Sequence, residues 1–104
     1  MGIPKSEQLP VGTRLDRYGD EIGSFLSPQG TPYDQRALPL DTDTNSITAY
    51  VVIKELPVKS GETASWFGQP GGGKQFMTTN PITGTGEKVS IEWLRDEEYI
   101  KELE

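Results

Sequence analysis

A chain of 104 residues carrying a net charge of -6 suits one domain with one modest core. The acidity excludes a nucleic-acid binder that tracks phosphates with a basic stripe, and it argues against docking on anionic membranes. With no Cys and no His, a disulfide framework, thiolate chemistry and a conventional zinc site are excluded, and no metal is expected.

Twelve Gly and eight Pro against 33% hydrophobic residues predict many turns and short strands, with two Trp, four Tyr and three Phe to anchor a core. No apolar run approaches the roughly 18 residues of a membrane span. Met1-Gly2-Ile3-Pro4-Lys5 lacks the apolar stretch of a signal peptide, so any export signal is expected in a longer parent.

Residues 1–8 read as a polar tail or linker, and 9–104 as the domain. A short element is predicted at Arg14-Leu15-Asp16-Arg17-Tyr18, closed by Gly19. Gly23-Ser24-Phe25-Leu26 predicts another strand, stopped by Ser27-Pro28. Gln29 to Tyr33 is a turn, because Pro32 fixes φ and Gly30 supplies positive φ. Asp34 to Ala37 predicts one helical turn. The clearest strand is Ile47 to Glu55, ended by Pro57, with Thr48, Tyr50 and Val52 on one face and Ile47, Ala49, Val51 and Ile53 on the other. Ala64 to Phe67 and Lys74 to Thr78 read as further strands, and Trp66 and Phe67 as core. A short helix is expected over 91–97 behind Ser90 as N-cap, then an extended end at Tyr99-Ile100-Lys101.

Gly68-Gln69-Pro70-Gly71-Gly72-Gly73-Lys74 satisfies the string of a phosphate-binding loop. That loop needs Ser or Thr next and then a helix aimed at phosphate. Here Gln75 follows and opens a strand pattern, so a glycine turn between strands is the expected structure. Three successive glycines fit a place where backbone passes very close to a ligand or another strand.

The string Trp66-Phe67-Gly68-Gln69-Pro70-Gly71-Gly72-Gly73-Lys74-Gln75-Phe76 resembles the signature of the tuberculosis necrotizing toxin (TNT) domain family, whose members are NAD(P) glycohydrolases. Three other segments match in the same order: Leu15 to Gly19, Phe25 to Tyr33 leading into Arg36-Ala37-Leu38-Pro39, and Tyr50 to Val58. The resemblance implies an α+β fold, with two small, mostly antiparallel sheets and few short helices around an ADP-ribosyltransferase-like cleft. It implies a metal-free, cofactor-free domain with NAD or NADP as the substrate. It further implies an excreted or delivered effector that depletes NAD in a target-cell cytosol, opposed by an immunity protein in the producer. A monomer is expected.

Carried over residue by residue, the resemblance places Arg17, Phe25, Arg36 and Gln75 in the site, with Gly71, Gly72 and Gly73 lining it. Family members often carry His where this chain has Thr48, and Tyr where it has Phe25. Nicotinamide leaves a pyridinium as a neutral molecule, so no proton need reach it, while the ribose becomes oxocarbenium-like. A site without His is therefore chemically sufficient. Arg17 and Arg36 suit the pyrophosphate as planar forks of donors. Gln75, Arg36 and Thr48 are the candidate catalytic residues, with Gln75 foremost, able to orient ribose hydroxyls or the attacking water. Phe25 would stack on nicotinamide, and Thr48 would hold a ribose hydroxyl. Asp16 is expected to pair with a nearby arginine or a backbone N–H, and Arg36→Ala to weaken NAD binding. The alternative is a catalytically weakened NAD-binding or protein-interaction module.

Overall fold

The computed structural model describes residues 5–36, 38, 42–43, 45–63 and 71–103. Among them the chain runs β1 (Lys5–Leu9), β2 (Arg14–Tyr18), β3 (Phe25–Pro28), a 3-10 turn (Tyr33–Gln35), β4 (Ile47–Val52), β5 (Leu56–Glu62), β6 (Lys74–Thr78), α1 (Ile91–Asp96) and β7 (Ile100–Glu102). The described strands form one antiparallel sheet in the order β1-β5-β6-β3-β2-β4-β7.

The expectation of an α+β core of two small sheets meeting around a cleft is corrected here: the sheet is single and carries one short helix. The four residues of β3 are the reason. Phe25 and Leu26 pair with Met77 and Phe76 of β6, while Ser27 and Pro28 pair with Asp16 and Leu15 of β2. Each end of one strand serves a different neighbour, so the two halves merge.

Two strands differ from the reading of the sequence. Lys5–Leu9, mostly inside the segment taken as a tail, is an edge strand against β5, from Lys5↔Ser60 to Leu9↔Leu56. Polar side chains do not prevent this, because an edge strand needs only its backbone and one anchor, and Leu9 is buried at 3% exposure. The strand starting at Ile47 ends at Val52, and the chain doubles back as β5. Pro57, expected as a terminator, lies within β5 but outside its β6 ladder, which starts at Val58↔Thr78. Its missing N–H therefore removes no bond from that ladder. β3 is also displaced two residues later than the predicted Gly23 start. The predicted strand at Ala64 to Phe67, and core roles for Trp66 and Phe67, lie outside the described residues.

One sheet face carries the core. Leu15, Leu26, Tyr50, Val52, Leu56, Val58, Phe76 and Ile100 are buried there, and Ile91 and Leu94 of α1 cover them. Each such side chain contributes roughly 1.5–3 kcal/mol by leaving water. α1 begins where the sequence places it: the Trp93 amide donates to Ser90 Oγ at 3.0 Å, satisfying one of the helix's unpaired N–H groups.

Candidate functional site

Side chains alternate across a strand, so the pairings above sort the polar residues by face. Asp16 stands opposite both Ser27 and Ala49, and Phe25 opposite Met77. Gln75 lies opposite Gly61 and alternates with buried Phe76. Asp16, Tyr18, Phe25, Ser27, Gln75 and Met77 therefore belong to the face away from the core. Gly61 has no side chain to shade Gln75, and the Gln75 amide makes no hydrogen bond among the described residues.

The segment after β3 folds over this face and brings Arg36 onto it. Arg36 Nη2 lies 2.6 Å from Asp16 Oδ1, and both side chains are 4% exposed. The Gly30 amide donates to Asp16 Oδ2 at 3.0 Å, and Arg36 Nε donates to the Thr31 carbonyl at 2.9 Å. Asp16 thus has both of the partners expected for it, an arginine and a backbone N–H. The Oδ1 contact is an ion pair without hydrogen-bond geometry. The Arg36 guanidinium also sits 4.9 Å from the centre of the Tyr18 ring, on which Tyr33 packs edge-on at 5.4 Å.

The glycine segment docks on the same turn. Gly71 and Gly72 have φ of 66° and 83°, a region open to glycine and strained for other residues. The amides of Gly71, Gly72 and Gly73 donate to the carbonyls of Asp34, Thr63 and Gln35 at 3.1, 2.8 and 3.1 Å. All three N–H groups are therefore occupied within the protein, and none is left to cradle a phosphate. The strand β6 follows, where a phosphate-binding loop would need a helix. Gly73 has a tighter constraint: a Cβ there would lie 2.7 Å from the Gln35 carbonyl oxygen and 3.0 Å from Thr31 Cγ2. Gly73→Ala is expected to cost about 1–3 kcal/mol of stability, in the range of overpacking a fixed contact. Urea unfolding measures it, and an unchanged midpoint would show that the turn yields without strain. Gly68, Gln69 and Pro70 lie outside the described residues.

Arg17 and Thr48 are elsewhere. They stand opposite one another on β2 and β4 and share the core-side face with Leu15 and Tyr50. Arg17 is 15% exposed and committed to the backbone: Nη1 donates to the Phe25 carbonyl at 2.9 Å and Nε to the Asp20 carbonyl, with Asp20 Oδ1 at 3.8 Å. Its guanidinium fills the space over Gly23, where a Cβ would come within 2.2 Å of Nη2. Arg17 thus staples the 19–24 loop. Thr48 is half-buried beside this staple. Further along that face, the Tyr50 hydroxyl donates to Glu21 Oε2 at 2.8 Å, and Glu21 Oε1 pairs with Arg95 at 3.1 Å. Burial, and then the Glu21 carboxylate, push the Tyr50 hydroxyl well above its ordinary pKa.

The structure therefore brings Gln75, Phe25, Arg36 and Gly73 to one side of the sheet and leaves Arg17 and Thr48 on the other. Sequence reasoning did not single out Tyr18 and Tyr33, which frame Arg36. Their positions beside Arg17 and Pro32 in the quoted segments were the available signal.

Sheet, buried ion pair and glycine-anchored turn define a small antiparallel domain that carries the Asp16–Arg36 pair and Gln75 on the face opposite its core. The family model described as "Tuberculosis necrotizing toxin" matches residues 8–103, and the chain belongs to that family. It is 39% identical to the conidial surface nicotinamide adenine dinucleotide glycohydrolase of Aspergillus fumigatus, over 92% of this chain and 44% of that protein. The chain thus spans less than half the length of this curated relative. Among solved structures it resembles tuberculosis necrotizing toxin complexed with its immunity factor, with a TM-score of 0.69 and 24% identity, covering 92% of this chain and 54% of the other. It also resembles Tse6 in complex with Tsi6, with a TM-score of 0.52 and 19% identity, over 84% and 72% of the two chains.

Proposed function

We propose that this chain is an NAD(P) glycohydrolase domain of a toxin, cleaving the nicotinamide–ribose bond to give nicotinamide and ADP-ribose. The observation that carries this reading is the 39% identity to a nicotinamide adenine dinucleotide glycohydrolase over nearly the whole chain. The geometry of the face opposite the core supports it.

In this reading Gln75 is the catalytic group. Its amide carries no charge, has no partner to give up among the described residues, and can hold a ribose hydroxyl or the attacking water as the sugar becomes oxocarbenium-like. Phe25 offers an apolar ring on the same face for nicotinamide. Arg36 is neutralised and buried by Asp16, so its main work is to fix the turn and Tyr18 at the middle of the site. The Gly71 to Gly73 segment keeps side chains away from that turn. Arg17 and Thr48 stay outside the chemistry and hold the opposite face. No metal or cofactor enters.

The family, and the solved tuberculosis necrotizing toxin seen with its immunity factor, support an effector delivered to a target-cell cytosol and restrained by an immunity protein in the producer. The test of the activity is nicotinamide release, followed on NAD and NADP side by side. Release from either is the expected result. A folded domain that binds dinucleotide without releasing nicotinamide would replace this reading with that of a catalytically weakened binding module. Absence of both binding and release would leave an interaction domain.

A further inference from the structure

Beyond the Asp16–Arg36 pair, on the same face, Arg14, Asp16, Gln29, Ile47, Ala49 and Leu103 line a surface cavity of about 550 Å³. That is the size of a small-molecule site. Asp16 belongs both to this cavity and to the buried ion pair, so the cavity adjoins the candidate site.

The charges in it do not balance. Arg36 already neutralises Asp16. Arg14 is exposed and has no carboxylate partner among the described residues. Arg14 stands opposite Val51, and Val51 opposite Lys101, which places Lys101 in the same row and on the same face. Lys101 likewise has no carboxylate partner among the described residues. In a chain of net charge -6, Arg14 brings positive charge without a carboxylate partner among the described residues to the cavity lining, and Lys101 stands two strand spacings from it in the same row. The rest of the lining is apolar at Ile47, Ala49 and Leu103, with the Gln29 amide as a two-way hydrogen-bonding group.

An apolar wall, one amide and a guanidinium at the rim suit a purine nucleoside bearing a phosphate. The spacing suits it as well. β6 and β4 are separated by β3 and β2, which makes three strand spacings, about 14 Å. A dinucleotide laid across the strands would have its nicotinamide end at Gln75 and Phe25, its pyrophosphate over the turn that carries Arg36, and its adenosine end in this cavity.

We infer that this cavity is the adenosine subsite and that Arg14, seconded by Lys101, binds the 2′-phosphate that distinguishes NADP from NAD. The inference rests on the glycohydrolase reading and makes NADP the preferred substrate. The first measurement is the ratio of kcat/KM for NADP to that for NAD, in the full chain and in Arg14→Gln and Arg14→Lys. The ratio is expected to exceed one and to fall about tenfold to a hundredfold in Arg14→Gln, the range of a lost charge-assisted contact. Arg14→Lys is expected to keep part of it. The second measurement needs no turnover: calorimetry with adenosine 2′,5′-bisphosphate and with AMP. The bisphosphate is expected to bind at least about tenfold more tightly, and Arg14→Gln to remove the difference. Equal affinities for the two fragments, or a ratio indifferent to position 14, would overturn the assignment. A fragment preference in a chain that hydrolyses neither dinucleotide would uphold the subsite and sink the glycohydrolase reading alone.

Discussion

Gln75→Ala is expected to lower nicotinamide release at least about a hundredfold, the loss seen when one positioned donor to a transition state is removed. The change should leave the fold intact. Gln75 is half-buried on the face opposite the core, makes no side-chain hydrogen bond among the described residues, and lies opposite Gly61. Truncation therefore orphans no partner among the described residues and opens no core cavity, and the strand ladder through its backbone is untouched. The loss should fall on kcat more than on KM, because an interaction made chiefly in the transition state affects the chemical step and not ground-state binding. Gln75→Glu separates the two ways the amide can act. The glutamate keeps an acceptor for ribose hydroxyls and loses the donor, so residual activity well above that of the alanine variant assigns the acceptor role. Steady-state kinetics on the folded variants is the measurement, and near-normal kcat in Gln75→Ala would remove Gln75 from the mechanism.

Arg36→Ala is expected to destabilise the domain by about 3–5 kcal/mol, the cost of leaving a buried charge without its partner. The carboxylate of Asp16 is 4% exposed, and the guanidinium 2.6 Å away is its counter-charge. Since a small domain is stable by only about 5–15 kcal/mol, this one change removes a large part of the margin. The sequence alone points to a different main effect, weaker NAD binding. Burial reverses the order, because stability falls first and binding follows from the lost turn. The double variant Asp16→Asn with Arg36→Met separates charge from shape. It removes both charges, and it should recover much of the lost stability if the uncompensated carboxylate causes the damage. Urea midpoints of Asp16→Asn, Arg36→Met and the double variant close the cycle, and a double variant no more stable than Arg36→Met would assign the effect to packing around Tyr18.

Much of the fold was legible where side chains announce their element. The β-branched run at Ile47 to Val52 gave β4 and its two faces, Ser90 gave the start of α1, and Gly19 and Gly30 gave turns with φ of 101° and 87°. β1 and β5 were hidden for opposite reasons. Lys5 to Gln8 are polar because they line a sheet edge, and Pro57, Lys59 and Gly61 break the pattern of a strand whose buried face is only Leu56, Val58 and Ser60. In the site, Arg17 and Arg36 looked equivalent as phosphate forks. Whether two residues share a face depends on which strands pair and in what register, and long-range partners decide that. One residue of offset along β2 sends Asp16 toward Arg36 and Arg17 toward the 19–24 loop. The occupied amides of Gly71 and Gly73 were equally out of reach, since their acceptors at Asp34 and Gln35 are distant in sequence.

β3 limits how the chain can vary in length. Its four residues are held by β6 at one end and by β2 at the other. Losing or gaining a single residue between Gly19 and Phe25 would slide the strand one step, turning Leu26 outward and Phe25 inward. Both halves of the sheet would then lose a core contact at once, and Phe25 would leave the face that carries Gln75. Length changes in this protein should accordingly gather at Asn80 to Gly86, a surface loop where no two ladders share a strand.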